Sequence, residues 1–285
     1  MISILIPVYN CEQFIEKTIT RLFSQELKET EVIVRDDCSA DNTWSKLLQL
    51  NKQYPFNLYK NDVNQGMCNN WNLLYEDAKG DYILKLDADD IFFSEMIPST
   101  LKFFNENTSI DALAFKYEVL ESETNISKAL PIHGKLPEGI QSNLLSLVFL
   151  HNPFHLCFTI FKREALEKVK RADGLFMNTE VGDLDLLLRL AENNISLYYK
   201  PVLAGYYRMH QTNSSKTPLK QAKSWLFDVF PKHEIYLRKY LYQETKDVLK
   251  NRLINYIKHS IYYLQPLNFS YLVKSTVTYF KFKKV

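Results

Sequence analysis

The chain has 285 residues, 46% hydrophobic and 24% charged, with only 7 Gly and 10 Pro, a composition that supports a sizeable core and excludes a disordered, collagen-like or low-complexity chain. Its formal net charge of +2 hides an asymmetry: residues 1–215 hold 21 Lys/Arg against 29 Asp/Glu, a net of −8, whereas residues 216–285 hold 14 against 4, a net of +10. A basic tail on an acidic body predicts an anionic partner, either nucleic acid or a lipid leaflet.

In chain order, Ile2–Val8 reads as a buried strand. A helix capped by Asn10 follows, with Gln13 completing a capping box and Phe14, Ile15, Ile19, Leu22 and Phe23 on its apolar stripe, running to about Gln25. The pattern then predicts a strand over Glu31–Arg35, a helix over Asn42–Leu50, a strand over Phe56–Lys60, a helix over Met67–Ala78 and a strand over Tyr82–Leu86. This alternation is the signature of βαβ units on a largely parallel sheet, an α/β fold. Beyond residue 110 strands are predicted over Ala112–Val119, Phe158–Lys162 and Ser196–Val202, and a helix over Leu184–Glu192. From Leu219 onward the chain reads as helical, charged and aromatic. The expected organisation is a first unit over 1–215 and a basic helical appendage over 216–285.

Cys11, Cys38, Cys68 and Cys157 lie far apart without a CxxC pair, and Met1–Val8 lacks a basic leader. Free thiols in a reducing cytoplasm are the expectation. The most apolar window, 144–161, is interrupted by His151, Asn152, Pro153 and His155, so no membrane span is predicted.

Ligands of open parallel sheets gather at the carboxyl ends of the strands, where Asp36, Asp37, Asp87 and Asp89 all fall. Asp87-Ala88-Asp89 sets two carboxylates at i and i+2 just past a buried strand, a spacing suited to a hard divalent ion. Two carboxylates alone make a poor magnesium site, and such sites are usually completed by water and substrate phosphates, so a diphosphate substrate is implied. The plainer alternative is an acidic turn that merely caps the helix after Ser94.

Three runs, Ile2-Ser3-Ile4-Leu5-Ile6-Pro7-Val8-Tyr9-Asn10, Val32-Ile33-Val34-Arg35-Asp36-Asp37-Cys38-Ser39-Ala40-Asp41 and Tyr82-Ile83-Leu84-Lys85-Leu86-Asp87-Ala88-Asp89-Asp90, occur in an order and spacing that resembles glycosyltransferase family 2, with the GT-A fold. The resemblance continues through Phe161-Lys162-Arg163, Gly182 to Leu190 and Tyr207 to Ser214, covering about residues 1–215. It implies a Rossmann-like, mostly parallel central sheet flanked by helices, with the helical segment appended. It also implies that Pro7, Tyr9 and Asp37 line the nucleobase pocket, with Asp37 accepting from a pyrimidine N–H. Asp87 would reach the ribose or hold the metal through water, Asp89 would bind Mg²⁺ or Mn²⁺ directly and bridge to the diphosphate, and His210 would bind the metal or the phosphates. Asp183 matches the family's catalytic base, and Asp185, two residues on, cannot face the same point of a helix. The structural alternatives are a helix-terminal carboxylate for Asp183, a histidine without ligand role for His210, and an acid pair for Arg189.

Three departures bear on substrate. The family often has Asp-Asp-Gly-Ser where this chain has Asp36-Asp37-Cys38-Ser39. Many members have Ala-Arg-Asn where Asn70-Trp71-Asn72 stands, which removes an arginine expected at the donor. Gly182-Asp183 replaces Glu-Asp before the acceptor helix.

In the tail, Lys250, Arg252, Lys258, Lys274, Lys281, Lys283 and Lys284 are interleaved with aromatic and aliphatic residues from Tyr256 to Phe282, as in helices that lie on a membrane surface. A helical lid with a solvated basic face explains the same pattern, and no nucleic-acid motif accompanies the charge, so nucleic acid is not expected as a partner. The resulting expectation is a metal-dependent inverting glycosyltransferase using a UDP-sugar, with a dTDP-sugar as alternative. Its acceptor would be a saccharide or lipid-linked saccharide in surface polysaccharide or lipopolysaccharide assembly. The enzyme would be cytoplasmic, peripheral on the inner membrane face through residues 219–285. The alternatives are a catalytically idle nucleotide-binding scaffold at the membrane surface and a nucleotidyltransferase. The latter would want a basic glycine loop, which Pro7–Cys11 lacks.

Overall fold

The computed structural model describes residues 1–24, 27–122, 125–127, 136–179, 181–210, 213 and 224–262. In chain order the elements are strand β1 Ile2–Val8, helix α1 Ile15–Leu22, β2 Thr30–Asp36, α2 Thr43–Asn51, β3 Asn57–Lys60, α3 Met67–Asp77, β4 Tyr82–Lys85, β5 Ile91–Phe92, α4 Met96–Glu106, β6 Ala112–Ser122, β7 Asn125–Ser127, β8 Gly139–Ile140, α5 Leu144–Leu150, β9 Thr159–Lys162, α6 Arg163–Lys168, α7 Gly182–Glu192, β10 Leu197–Arg208, α8 Phe230–Tyr240 and α9 Tyr242–Tyr262.

The strands form one sheet in the order β3-β2-β1-β4-β9-β6-β10-β5, with β7 on β6 and β8 on β10. Along β1 the side chains alternate between two cores, as strand periodicity requires. Ile2, Ile4, Ile6 and Val8 pack with Ile15 and Ile19 of α1, Leu47 of α2 and Phe104 of α4. Leu5 faces the other way, into a core shared by Trp71 of α3, Val148 of α5 and Leu186 to Leu190 of α7. The sheet is therefore buried on both faces, which is why its central strands read as continuous apolar runs. Trp225, Phe230, Leu237 and Leu249 of the helical segment belong to the same core as α7.

β3, β2, β1 and β4 are mutually parallel, as the alternating pattern predicts. β9 runs antiparallel to both neighbours, β4 and β6. Its polarity has a use: β9 starts at the carboxyl end of β4 and so carries His155 and Cys157, just ahead of it, to the acidic loop. β10 is longer than the predicted Ser196–Val202. Its ladder with β6 slips around Lys200 to Tyr206, where Pro201 falls, and resumes to Arg208. Proline signals a strand end, but a bulge lets the strand absorb it and continue.

The start of α1 also differs from expectation. Asn10 does not cap it; Phe14 occupies the cap position without a side-chain bond. Asn10 adopts a left-handed φ of 49° and its Oδ1 accepts from the backbone N–H of Ala40 2.9 Å away. It thus ties the β1 loop to the β2 loop, and its short amide makes both roles open to it. α1 closes at Leu22; the expected end at Gln25, the 211–212 and 214–223 stretches and everything after Tyr262 lie outside the described residues. Among the described residues no helix is long and apolar enough to cross a membrane, and none of the four cysteines is in a disulfide.

Candidate active site

The carboxyl ends of β1, β2 and β4 deliver three loops. At β1, Leu5 carbonyl accepts from Leu86 N–H, so Pro7, two residues on, faces the same side beyond the last β4 pair. Its missing donor costs the ladder nothing there. Tyr9 follows, half exposed at the mouth.

Asp37, just past β2, is almost completely buried. Its Oδ1 accepts from Asn61 Nδ2 at 2.8 Å and Gln65 N at 2.7 Å, and its Oδ2 from Gly66 N at 2.9 Å. Charge-assisted bonds of this kind fix the loop that opens α3. Gly66 supplies the φ of 82° that turns its N–H inward, a conformation costly for any residue with a Cβ. One position along from Asp37, Cys38 adopts a left-handed φ of 59° where the family often has glycine, so the turn is kept and the strain accepted. Trp71, at the place of the family's frequent arginine, is buried and packs edge-on against Phe176 at 5.5 Å.

The loop after β4 is pinned from three sides. Thr18 Oγ1 on α1 donates to the carbonyls of Ala88 and Asp90, both 2.9 Å away. At the end of β10, Arg208 N donates to Asp90 Oδ1 at 2.9 Å and Arg208 Nε to Asp89 carbonyl at 2.8 Å. Two residues on, His210 Nε2 lies 2.8 Å from Asp89 Oδ2, its ring stacked on Phe14 with centroids 4.5 Å apart. The two predicted metal ligands are thus brought together.

Asp87 has a different environment. Its Oδ1 accepts from Lys85 Nζ at 2.5 Å, and Cys157 Sγ is 3.3 Å from its Oδ2. Burial works against ionisation of Asp87, but the Lys85 ammonium outweighs it and holds the carboxyl below its usual range. For Lys85, burial is likewise outweighed, by Asp87 and then Asp183, and its pKa stands well above the ordinary value. Burial and the Asp87 charge push the Cys157 thiol well up, and burial drives His155 down, so the thiol is protonated and the imidazole neutral at pH 7.

Asp183 occupies the first turn of α7. Gly182 before it has no room for a side chain, because a Cβ there would lie 2.9 Å from that of Met177. That close approach sets the helix start against the Phe176–Met177 segment, itself held by Asn72, whose Oδ1 accepts from Phe176 N and whose Nδ2 donates to Met177 carbonyl, each 2.9 Å away. Oδ1 of Asp183 is buried without a hydrogen-bond partner among the described residues. Its charge acts to raise the pKa of both Lys85 and His155. Asp185, by contrast, is fully enclosed by Arg189 at 3.0 Å, His233 at 3.3 Å, Arg171 at 3.6 Å and Lys232 at 3.9 Å. It organises α7 against α8, and Arg189 is its ion-pair partner, as the plainer reading had it.

Two donor sets lie at the loop. Two ligands of an octahedral ion at about 2.1 Å stand about 3 Å apart, which the Asp89 oxygen and His210 nitrogen match. Asp87, Asp90, His155 and Cys157 also offer one atom each within 4.8 Å of one another. There the thiol is held protonated and Asp87 is committed to Lys85, so the Asp89–His210 pair suits Mg²⁺ or Mn²⁺ better.

Sequence reading missed Lys85, His155, Cys157, Phe14 and Arg208 as site residues. Lysine inside an otherwise apolar strand was the available signal for Lys85. Arg208 lay within the Tyr207 to Ser214 run already tied to the family, two residues before His210; for His155, Cys157 and Phe14 the sequence held none, since each reaches the site through a tertiary crossing.

A sheet with carboxylates at its strand ends, an acidic loop after β4 and a carboxylate in the first turn of α7 has the layout of a GT-A glycosyltransferase. The chain belongs to glycosyl transferase family 2, whose family model matches residues 3–170. It is 27% identical over 224 residues to the UDP-Glc:alpha-D-GlcNAc-diphosphoundecaprenol beta-1,3-glucosyltransferase WfgD of Escherichia coli, covering 78% of this chain and 83% of that one. S. aureus TarS 1–349 in complex with UDP-GlcNAc superposes with a TM-score of 0.62 at 18% identity, over 80% of this chain and 66% of that one. Mannosyltransferase PcManGT from Pyrobaculum calidifontis, in complex with GDP-Man and Mn²⁺, gives 0.57 at 15% identity, over 97% and 73%. At such identities the structural likeness establishes the fold.

Proposed function

We propose that this glycosyltransferase transfers a sugar, with inversion, from a UDP-sugar (a dTDP-sugar being the alternative) to a saccharide carried on a lipid diphosphate. The work would take place at the inner face of the membrane during surface polysaccharide or lipopolysaccharide assembly. The acceptor class follows the relative WfgD, whose name specifies a diphosphoundecaprenol acceptor. The pyrimidine class follows Asp37, whose Oδ2 accepts a single bond from the protein and can accept a base N–H as well. Pro7 and Tyr9 would flank that base.

The observation on which this reading rests is the unpaired Oδ1 of Asp183. A buried carboxylate oxygen without a donor is costly unless a ligand supplies one. An acceptor hydroxyl would do so: Asp183 takes its proton as the oxygen attacks the anomeric carbon from the face opposite the leaving diphosphate, a single displacement that inverts the centre. Asp89 and His210 would hold Mg²⁺ or Mn²⁺, which when bound neutralises charge on the diphosphate. Asp87, oriented by Lys85, would accept from a ribose hydroxyl.

The test compares wild type with Asp183→Asn, using radiolabelled UDP-sugars and polyprenyl-diphosphate-linked saccharides. Asp183→Asn should bind UDP as wild type does while transfer falls about 10²–10⁴-fold. Undiminished transfer removes Asp183 from this role.

A further inference from the structure

α8 buries Phe230, His233 and Leu237 toward α7, and Leu241 continues the stripe. At about 100° per residue the opposite side holds Ile235 and Lys239, and the exposed Tyr236 and Tyr240 extend it toward His233, an arc of about 140° from Ile235 to Tyr240. Ile235 is 81% exposed, the largest exposure of any large hydrophobic side chain among the described residues, and Tyr240 is 55% exposed. Tyr236 and Tyr240 rings lie 5.7 Å apart, and Lys239 Nζ sits 4.7 Å from the Tyr240 ring centroid. An aliphatic residue set among two tyrosines and a lysine is the composition of a face that sinks into the headgroup region while its ammonium group reaches phosphates.

Two further observations select the occupant. The segment holding this face, residues 216–285, carries a net charge of +10, which is complementary to anionic lipid and repels a basic protein surface. α8 also borders the segment that leads into Asp183. Lys232, one turn before Tyr236, lines with Thr179 and Arg171 an open hollow of about 430 Å³. Thr179 carbonyl accepts from Gly182 N–H, next to Asp183.

We propose that the outer face of α8, formed by Ile235, Tyr236, Lys239 and Tyr240, seats on an anionic lipid bilayer and brings the acceptor side of the site to that surface. The inference deepens the lipid-linked acceptor reading and rests on it, but it is tested without any transfer reaction.

The experiment is co-sedimentation of the full chain with vesicles of phosphatidylcholine alone or with about 30 mol% phosphatidylglycerol. Wild type should sediment with the anionic vesicles, far less with neutral ones, and less at about 0.5 M NaCl. Ile235→Asp with Tyr240→Asp should weaken the anionic-vesicle partition about tenfold or more, whereas Ile140→Asp, an exposed control on β8, should leave it unchanged. Both targets are exposed, and UDP binding measured on the same preparations reports that the variants are folded. Equal sedimentation of wild type with neutral and anionic vesicles, no sedimentation with either, or wild-type behaviour of the double variant each overturns the assignment. Retained nucleotide binding in those cases leaves the glycosyltransferase reading standing.

Discussion

Nε2 of His210 lies 2.8 Å from Oδ2 of Asp89, although 121 residues separate them in sequence. The contact exists because β10 survives the interruption at Pro201 and runs on to Arg208, whose backbone and guanidinium anchor Asp90 and Asp89. The pair is therefore preorganised by the sheet. His210→Ala should raise the Mn²⁺ concentration needed for half-maximal nucleotide binding by about tenfold or more, and Phe14→Ala, which removes only the stacking partner, by less. A Mn²⁺ titration of both variants checks the order; an unchanged midpoint in His210→Ala contradicts a ligand role.

Lys85 is a buried cation whose partner is Asp87 at 2.5 Å. Lys85→Met would leave Asp87 without its counter-charge in a desolvated site, a change of about 1–3 kcal/mol. The expected result is a folded protein with donor affinity reduced about tenfold. Calorimetric titration with UDP, beside circular dichroism for the fold, decides it.

His233 carries a pH dependence unconnected with the active loop. Burial pushes its pKa down, but hydrogen bonds to Asp185 and Glu192 outweigh burial and raise it above 6.5. A raised folded value means the stabilisation is fully present below pH 6.5 and is lost as pH rises through the folded pKa. Thermal melts of wild type and His233→Gln should accordingly differ most in mildly acidic buffer and converge toward alkaline pH. Divergence in the opposite direction would show that His233 is held neutral.

Cys38 keeps a left-handed backbone that relaxes in glycine. Relief of about 1–2 kcal/mol is opposed by about 0.5–1 kcal/mol of added chain entropy, so Cys38→Gly should gain about 0.5 kcal/mol. Cys38→Val, β-branched at the same φ, should lose about 1–2 kcal/mol. Denaturant midpoints of the two variants test the sign of each.

Much of this architecture was legible because sequence and structure share a period. β1 to β4 and the helices between them follow apolar runs of strand length and stripes of helical spacing, and the structure places each within a few residues of expectation. The carboxylates at the strand ends were legible for the same reason, as Asp37, Asp87 and Asp89 terminate recognisable strands. Reading failed where position depends on a crossing. The antiparallel course of β9 carries no periodic signature, so nothing foretold Cys157 against Asp87. Asn10 satisfied the pattern of a helix cap while its amide was used across the loop to Ala40. Pro201 lay inside a strand expected to stop at Val202, yet the strand bulges there and runs on to Arg208. Lys85 is a third kind of case: its charge stood out in an apolar strand, yet only the three-dimensional neighbours, Asp87 and Asp183, give it meaning.

The central claim is a metal-assisted nucleotide site at Asp89 and His210, separate from the base at Asp183. Isothermal titration of UDP with and without Mn²⁺ into wild type, Asp89→Ala and Asp183→Asn tests it most directly. The account predicts Mn²⁺-dependent binding in wild type, its loss in Asp89→Ala and its retention in Asp183→Asn. Folded wild type that binds no UDP with Mn²⁺ present, or Asp89→Ala that binds as tightly as wild type, would contradict it.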